Sequence, residues 1–171
     1  MRKLFSSLLA PALIPLTFVG CGQSFRDKLT NTWILQSQTC NGVADSTIAN
    51  GLNAGASIVV VFEDATYRIT SQSASCSHVR QGEYISLPGE TGVGLTESGS
   101  LGCTPSGCAV SELGLSASGC GSAISSTASP GVSFRESGED LYLTLSFSGT
   151  DCNADSLASD IRVETYKRQT P

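Results

Sequence analysis

The residues best suited to chemistry in this 171-residue chain are its seven cysteines. A cysteine thiolate is a nucleophile that can take up a covalent group, and two thiols can be oxidised to a disulfide. An odd count leaves one cysteine without a disulfide partner in an oxidising compartment. Cys21 lies near the start of the chain, and the other six are spread through the rest: Cys40, Cys76, Cys103, Cys108, Cys120 and Cys152. We therefore expect a modified Cys21 and three disulfides among the remaining six.

The segment before Cys21 has the layout of a secretory signal. Arg2 and Lys3 are followed by a mostly apolar run over 4–19. A positive start, a short apolar core and a small-residue exit are typical of an exported protein, and the run is too short for a spanning helix. The sequence therefore predicts a signal peptide over 1–20.

The residues around the predicted cleavage point resemble the lipobox of bacterial lipoproteins. Val19, Gly20 and Cys21 fit that motif, and Phe18 stands where it usually has leucine. The resemblance implies a diacylglyceryl group on the Cys21 sulfur and further acylation, typically with palmitate. Residue 22 is Gly22 rather than aspartate, which by the same resemblance implies delivery to the outer membrane. The domain itself is expected to be periplasmic or surface-exposed.

The composition of the mature chain limits its partners. Loss of 1–20 removes two positive charges, so the formal charge of −5 becomes −7. A chain this acidic lacks a footprint for nucleic acid and is not drawn to an anionic bilayer, so the lipid on Cys21 must provide the membrane contact. We expect a tether over 21–30 and one disulfide-stapled domain over 31–168. Poor helix formers dominate, which favours an all-β fold.

Other chemistry is not indicated by the spacing of polar residues. The chain has no C-x-x-C pair and only one histidine, His78, which we expect to be an exposed spectator. No G-x-S-x-G elbow is present, and the acidic pairs 63–64 and 139–140 lie at predicted turns. Asp151, Asp155 and Asp160 lack the spacing of a calcium loop. We therefore expect no catalytic residue, no metal site and no cofactor.

Eight strands follow from β-branched and aromatic runs and from alternation of apolar with polar residues. Short turns at 64–65, 88–92 and 136–140 join some of them. Asp45 is placed to cap a short helix over 46–52, but Asn50, Gly51 and Gly55 make any helix there weak, so we expect 40–55 to be a loop or lid. The stretch 98–131 has no readable periodicity. The predicted strands cover 31–39, 57–63, 66–73, 83–87, 93–97, 132–134, 141–147 and 161–168.

Eight strands joined by hairpin-compatible links favour an antiparallel up-and-down barrel, with a β-sandwich as the alternative. The order of Asn31-Thr32-Trp33, the hairpin over 60–67, the alternating strand 141–147 and the late Tyr166-Lys167-Arg168 resembles a lipocalin-like domain. That resemblance implies a small apolar ligand at the barrel mouth. The alternative function is a non-enzymatic envelope interaction or inhibitor protein that presents its stapled loops to a partner. Trp33 is expected to plug the closed end, with Arg168 stacked on it.

Strand direction predicts where the disulfides lie. The long links 40–55, 74–82, 98–131 and 148–160 all fall at one end, the expected mouth, and they or their edges carry all six cysteines. Closure places the end of the first strand beside the start of the last, so Cys40 is predicted to bond to Cys152. Cys76 then pairs with Cys103, Cys108 or Cys120, the other two of which bond to each other. The sequence does not decide between these three.

The lipid on Cys21 can be tested directly. The Cys21→Ser variant lacks the acceptor sulfur, so we expect it to lose incorporation of labelled fatty acid and to be released from membranes into the soluble fraction. Gly22→Ala, next to the acceptor, is the control and should stay acylated. Membrane retention of the serine variant would contradict the lipid anchor.

Overall fold

A computed structural model describes residues 24–156 and 158–170. The predicted signal peptide over 1–20 and the predicted lipidation site Cys21 lie outside the described residues. Strands make up most of the structure, with two short α-helices and three single 3₁₀ turns. The elements are α1 (Phe25–Leu29), β1 (Thr32–Cys40), β2 (Val43–Ala44), α2 (Ser46–Asn53), β3 (Ser57–Phe62), β4 (Thr66–Gln72), β5 (Ser77–Ser86), β6 (Val93–Ser100), β7 (Gly102–Thr104), β8 (Ala123–Ala128), β9 (Gly131–Ser137), β10 (Asp140–Thr150) and β11 (Asp160–Arg168).

The strands form one curled antiparallel sheet, which confirms the predicted all-β class. Along the sheet the order is β8-β6-β5-β4-β3-β1-β11-β10-β9, with β2 added to β1 and β7 added to β5. The first and last long strands are neighbours, with Trp33 opposite Arg168 and Cys40 opposite Arg162. We call the end with the short turns the turn end and the end with the disulfides the cysteine end.

The two edges of this strand order come together near the turn end, where the start of β6 approaches the start of β9. Gly92, just before β6, forms a bridge with Gly131 at the start of β9. The Val93 amide donates to the Pro130 carbonyl over 3.2 Å, and the Val132 amide donates to the Thr91 carbonyl over 2.8 Å. Strand β8 ends at Ala128 and runs almost directly into β9, so one stretch of chain pairs first with β6 and then with β10.

Two predicted boundaries were wrong. Strand β5 begins at Ser77, so the predicted link 74–82 is mostly strand. The reason is that polar side chains occupy both faces of Ser77–Gly82, and no hydrophobic alternation marks it. The unread stretch 98–131 contains β7 and β8, in which Ile124 is the one large apolar residue. The segment 40–55, expected to be a loop or lid in which any helix is weak, contains helix α2, with Asp45 Oδ1 accepting from the Ile48 amide over 3.0 Å.

The predicted tether over 21–30 was also wrong, because part of it is helix α1. Ser24 and Asp27 form a reciprocal capping box at its start. Phe25 and Leu29 lie four residues apart on one helix face, and both are buried against the turn end of the sheet. The helix therefore belongs to the domain core.

Trp33 closes the turn end, as predicted. Its side chain is fully buried, and its indole N–H donates to the Leu29 carbonyl over 2.9 Å. The predicted stack of Arg168 on Trp33 is not formed. Arg168 is its partner in the strand register, but the arginine–ring contacts within 24–156 and 158–170 involve Arg135 and Arg162 instead.

The helix contact can be tested by stability. Leu29→Ala removes a fully buried side chain beneath Trp33 and should lower the free energy of unfolding by about 2–5 kcal/mol. Ile85→Ala is the control, because Ile85 is 69% exposed and its truncation should change that energy by less than about 0.5 kcal/mol. Urea unfolding of both variants provides the comparison. Equal effects would contradict the placement of α1 in the core.

Candidate functional site

The six predicted disulfide cysteines form three pairs at the cysteine end. Cys40 is bonded to Cys152, the pair that the strand order predicts, with 5.7 Å between their Cα atoms. Cys76 is bonded to Cys108, which resolves the choice that the sequence left open. The remaining bond joins Cys103 to Cys120 across a separation of 17 residues.

His78 was predicted to be exposed, and this was wrong. His78 is 3% exposed, because it lies within β5 and is covered by residues 102–122. The Cys76–Cys108 and Cys103–Cys120 bonds hold these residues, which we call the stapled segment. The His78 Nε2 lies 2.8 Å from the Cys108 carbonyl oxygen and 3.8 Å from Cys120 Sγ. The imidazole thus lies against the Cys76–Cys108 and Cys103–Cys120 disulfides, and its Nε2–H donates to the Cys108 carbonyl. His78 ties β5 to the stapled segment.

The stapled segment and helix α2 together cover the cysteine end. Val110 and Leu115 form an isolated bridge, and Val110 and Leu113 are buried. Helix α2 approaches this turn closely: a Cβ added to Gly51 would lie 2.2 Å from the Glu112 carbonyl oxygen. Only glycine permits that contact. We call α2 and residues 110–115 the lid.

A cavity of about 400 Å³ lies beneath the lid, inside the curl of the sheet. Both apolar and polar side chains line it. The apolar side chains come from the lid and from the inner face of the sheet on both walls of the curl: Leu35, Ile48, Ile58, Ile69, Leu95, Leu113, Leu115, Ala128 and Phe147. The polar side chains form two groups on opposite walls. A cavity of this size with a few convergent polar groups has the character of a small-molecule site.

The first polar group lies on β4, β5, β6 and β8. The Arg80 guanidinium is 3.2 Å from Glu97 Oε1, and the Ser126 hydroxyl donates to Glu97 Oε2 over 2.8 Å. Glu97 is 8% exposed, whereas the Arg80 side chain is 44% exposed. The carboxylate is therefore buried in a fixed position, and the guanidinium keeps part of its surface open.

The second polar group lies on β10 and β11. Arg162 Nε is 3.1 Å from Glu164 Oε1, and the Tyr166 hydroxyl donates to Glu164 Oε2 over 2.7 Å. The Arg162 guanidinium also lies 4.4 Å from the centre of the Phe147 ring. Together these contacts hold the pair in place, with the Glu164 side chain 14% exposed and the Arg162 side chain 34% exposed. The polar face of β11 therefore points inward, and the 47% exposed Ile161 points outward.

Two buried tyrosines on these walls remain protonated donors. Burial, followed by the nearby Glu97 carboxylate, raises the pKa of Tyr67 to about 12. Burial, followed by Glu164, raises the pKa of Tyr166 well above its usual value. The Tyr166 hydroxyl is engaged with Glu164. The Tyr67 hydroxyl makes no hydrogen bond to any described residue, so it is available to a bound molecule.

The acidic residues considered in the sequence lie elsewhere. Asp151, Asp155 and Asp160 have carboxylate oxygens within 4.8 Å of one another in the loop before β11, although their spacing gave no sign of it. Buried Asp160 accepts from the Asn41 side-chain amide over 2.7 Å and from the Cys152 amide over 3.1 Å. Its oxygens thus hold the loop to the end of β1. This cluster serves the disulfide connection between those elements.

The pairs 63–64 and 139–140 lie at turns, as predicted. Asp64 is an ion-pair partner of Arg26 at 3.4 Å. Asp140 lies 2.8 Å from Lys167, and that hydrogen bond raises the pKa of Lys167. These are surface contacts at the turn end, away from the cavity.

Sequence reasoning missed the cavity residues Tyr67, Arg80, Glu97 and Glu164. A signal was present, because charged residues are sparse at 15% of the chain and several of these stand at alternating positions within strands. Charged residues on one face of a strand in such a chain indicate a polar interior.

Comparisons with known proteins give no relative: no protein-family model, curated protein or solved structure matches the chain. Within 24–156 and 158–170, the helices are too short and too polar to cross a bilayer.

The raised pKa of Tyr67 predicts a pH dependence of stability. A group whose pKa is higher in the folded state stabilises the fold fully below its unfolded pKa, near 10, and loses that contribution as the pH approaches 12. Tyr67→Phe should therefore show a smaller loss of unfolding free energy between pH 10 and 12 than the unmodified protein. Urea unfolding across this range checks it, with Tyr142→Phe as the control. Parallel curves for the Tyr67→Phe variant and the parent would contradict the assignment.

Proposed function

We propose that this protein is an outer-membrane lipoprotein whose β domain binds a small molecule in the cavity and catalyses no reaction. The observation that supports it is the cavity itself: about 400 Å³ beneath a lid, lined by apolar side chains and by two arginine–glutamate pairs whose carboxylates are largely buried. Buried charges are expensive and are retained where they serve specificity or function. The proposal changes the expected ligand from purely apolar to one with an apolar body and a polar group.

The finer architecture that we propose is a closed eight-stranded, lipocalin-like barrel. It requires β8 and β9 to count as one strand bent at Pro130, which is fully buried. The bridge from Gly92 to Gly131 supports this count, since it brings the start of β6, beside one edge of the sheet order, against the start of β9 at the other edge. The adjacency of β1 and β11 supports it as well. In such a barrel the cavity is the upper interior.

Membrane attachment through a lipid on Cys21 would fix the orientation of the domain. Only three residue steps separate Cys21 from the helix cap Ser24, a span of at most about 11 Å. Helix α1 packs at the turn end, where Arg26 contacts Asp64. The lipid would therefore hold the turn end close to the bilayer and direct the cysteine end, with the lid, away from it.

A second function, contact with an envelope protein through the stapled loops, has one supporting observation. Val43 is 71% exposed and Ile161 is 47% exposed, and both lie beside the Cys40–Cys152 bond. We rank it second because the apolar side chains of the long stapled segment, Val110 and Leu113, are turned inward to the lid and cavity.

The ligand proposal can be tested by filling the cavity. Ser71 lines it from β4, so Ser71→Phe should occupy part of the volume and abolish binding. Thr70→Phe is the matched control, because the neighbouring residue on a strand faces the opposite side. Native mass spectrometry of the lipidated protein, extracted from a bacterial envelope, should find a bound small molecule with the parent and the Thr70→Phe variant only.

Uptake of an environment-sensitive naphthyl fluorophore by the same three proteins gives a second measurement. Thermal unfolding should show that both phenylalanine variants are folded. Equal binding by all three proteins would contradict a ligand site in the cavity. The functional surface would then be the exposed apolar residues beside the Cys40–Cys152 bond, Val43 and Ile161.

A further inference from the structure

The cavity has spare hydrogen-bond donors, whereas its acidic acceptors are engaged. Both oxygens of Glu97 face partners, Arg80 and Ser126, and both oxygens of Glu164 face Arg162 and Tyr166. At the rim, Asp45 accepts from the Gln38 side chain over 2.8 Å and caps α2. A ligand that arrives as a cation would have to displace an arginine from one of these glutamates.

The unused donors lie together on the first wall. Tyr67 is close enough to Arg80 and Glu97 to be affected by both charges, and its hydroxyl has no hydrogen-bond partner among the described residues. Arg80 contacts Glu97 through one Nη atom, and its side chain is 44% exposed. A planar guanidinium carries five N–H donors, so several remain for a ligand. Arg80 lines the same cavity as Tyr166 of the opposite wall.

The charge of the lining disfavours an ionised ligand. Arg80 and Arg162 are each balanced by a glutamate, and Asp45 adds one more negative charge at the rim. An anion would be desolvated without an unbalanced cation to receive it, at a cost that ordinary hydrogen bonds do not offset. A cation would suit the net charge but would find both glutamates already ion-paired with an arginine. A neutral acceptor meets neither penalty.

Resting on the proposed ligand function, we propose that the cavity binds an uncharged molecule with an apolar body and a carbonyl-type acceptor, such as a ketone, ester, lactone or amide. The acceptor oxygen lies against the Tyr67 hydroxyl and the free N–H groups of Arg80. The apolar body extends toward the lid, against Leu113 and Leu115.

Three probes with one naphthalene body test the ligand class: a naphthyl methyl ketone, a naphthoic acid and a naphthylmethylamine. Isothermal titration at pH 7 with the full-length protein should show the ketone binding at least about tenfold more tightly than the acid or the amine. Equal or tighter binding of the acid or the amine would overturn the neutral-acceptor inference while still supporting a ligand cavity. Binding of none of the three would overturn both.

The anchoring donor is tested by Tyr67→Phe. Loss of one neutral hydrogen bond should weaken ketone binding by about threefold to tenfold and leave the weak binding of the acid and amine unchanged. Because the Tyr67 hydroxyl has no hydrogen-bond partner among the described residues, the variant should fold, which thermal unfolding checks. Tyr142→Phe, which makes the same change outside the cavity lining, should bind the ketone like the parent. Unchanged ketone affinity in the Tyr67→Phe variant would overturn the placement of the acceptor at Tyr67.

Discussion

Two arginine–glutamate pairs inside the curl of the sheet constrain most of the structure. Removing each ion from water costs several kcal/mol, which the attraction between partners offsets only with good geometry and further hydrogen bonds. The Ser126 hydroxyl completes the first pair, and the Tyr166 hydroxyl and the Phe147 ring complete the second. These groups come from five strands. A slip of one residue in β5 or β6 would turn one charge of the Arg80–Glu97 pair to the other face of the sheet and leave the other charge without its partner, so this pair fixes the register of those two strands.

The disulfides solve a different problem at the cysteine end. The segment from Gly102 to Ser122 has few large apolar residues and little regular structure, so it cannot order itself. The Cys76–Cys108 and Cys103–Cys120 bonds each contribute about 3–4 kcal/mol in the chain-entropy model. Buried His78 adds contacts to both bonds from β5. The bonds therefore make a lid possible where the sequence offers no core of its own.

How far the sequence predicts this fold depends on which residues carry the signal. The Cys40–Cys152 pair followed from strand order alone, which apolar strands such as β3 and β10 define well. Strand β5 was cut short because His78 and Arg80 face inward, opposite to the usual assignment of polar residues to solvent. Helix α1 carried a readable signal, with Phe25 and Leu29 four residues apart, but the expectation of a tether hid it. The cavity could not be predicted, since empty volume depends on packing rather than on residue type.

The contrast between the two ends explains how a small domain can keep a cavity. At the turn end, Trp33, Phe62 and Leu143 are almost fully buried, and Tyr84 donates to the Glu63 carbonyl over 2.7 Å. This packed half supplies apolar burial that the upper half lacks. A gap above it removes few contacts from the core and leaves the charged walls with space that water or a ligand can fill. Stability and the ligand binding that we propose are thus assigned to opposite ends of the same strands, and the side chains at mid-height are the ones in a position to serve both.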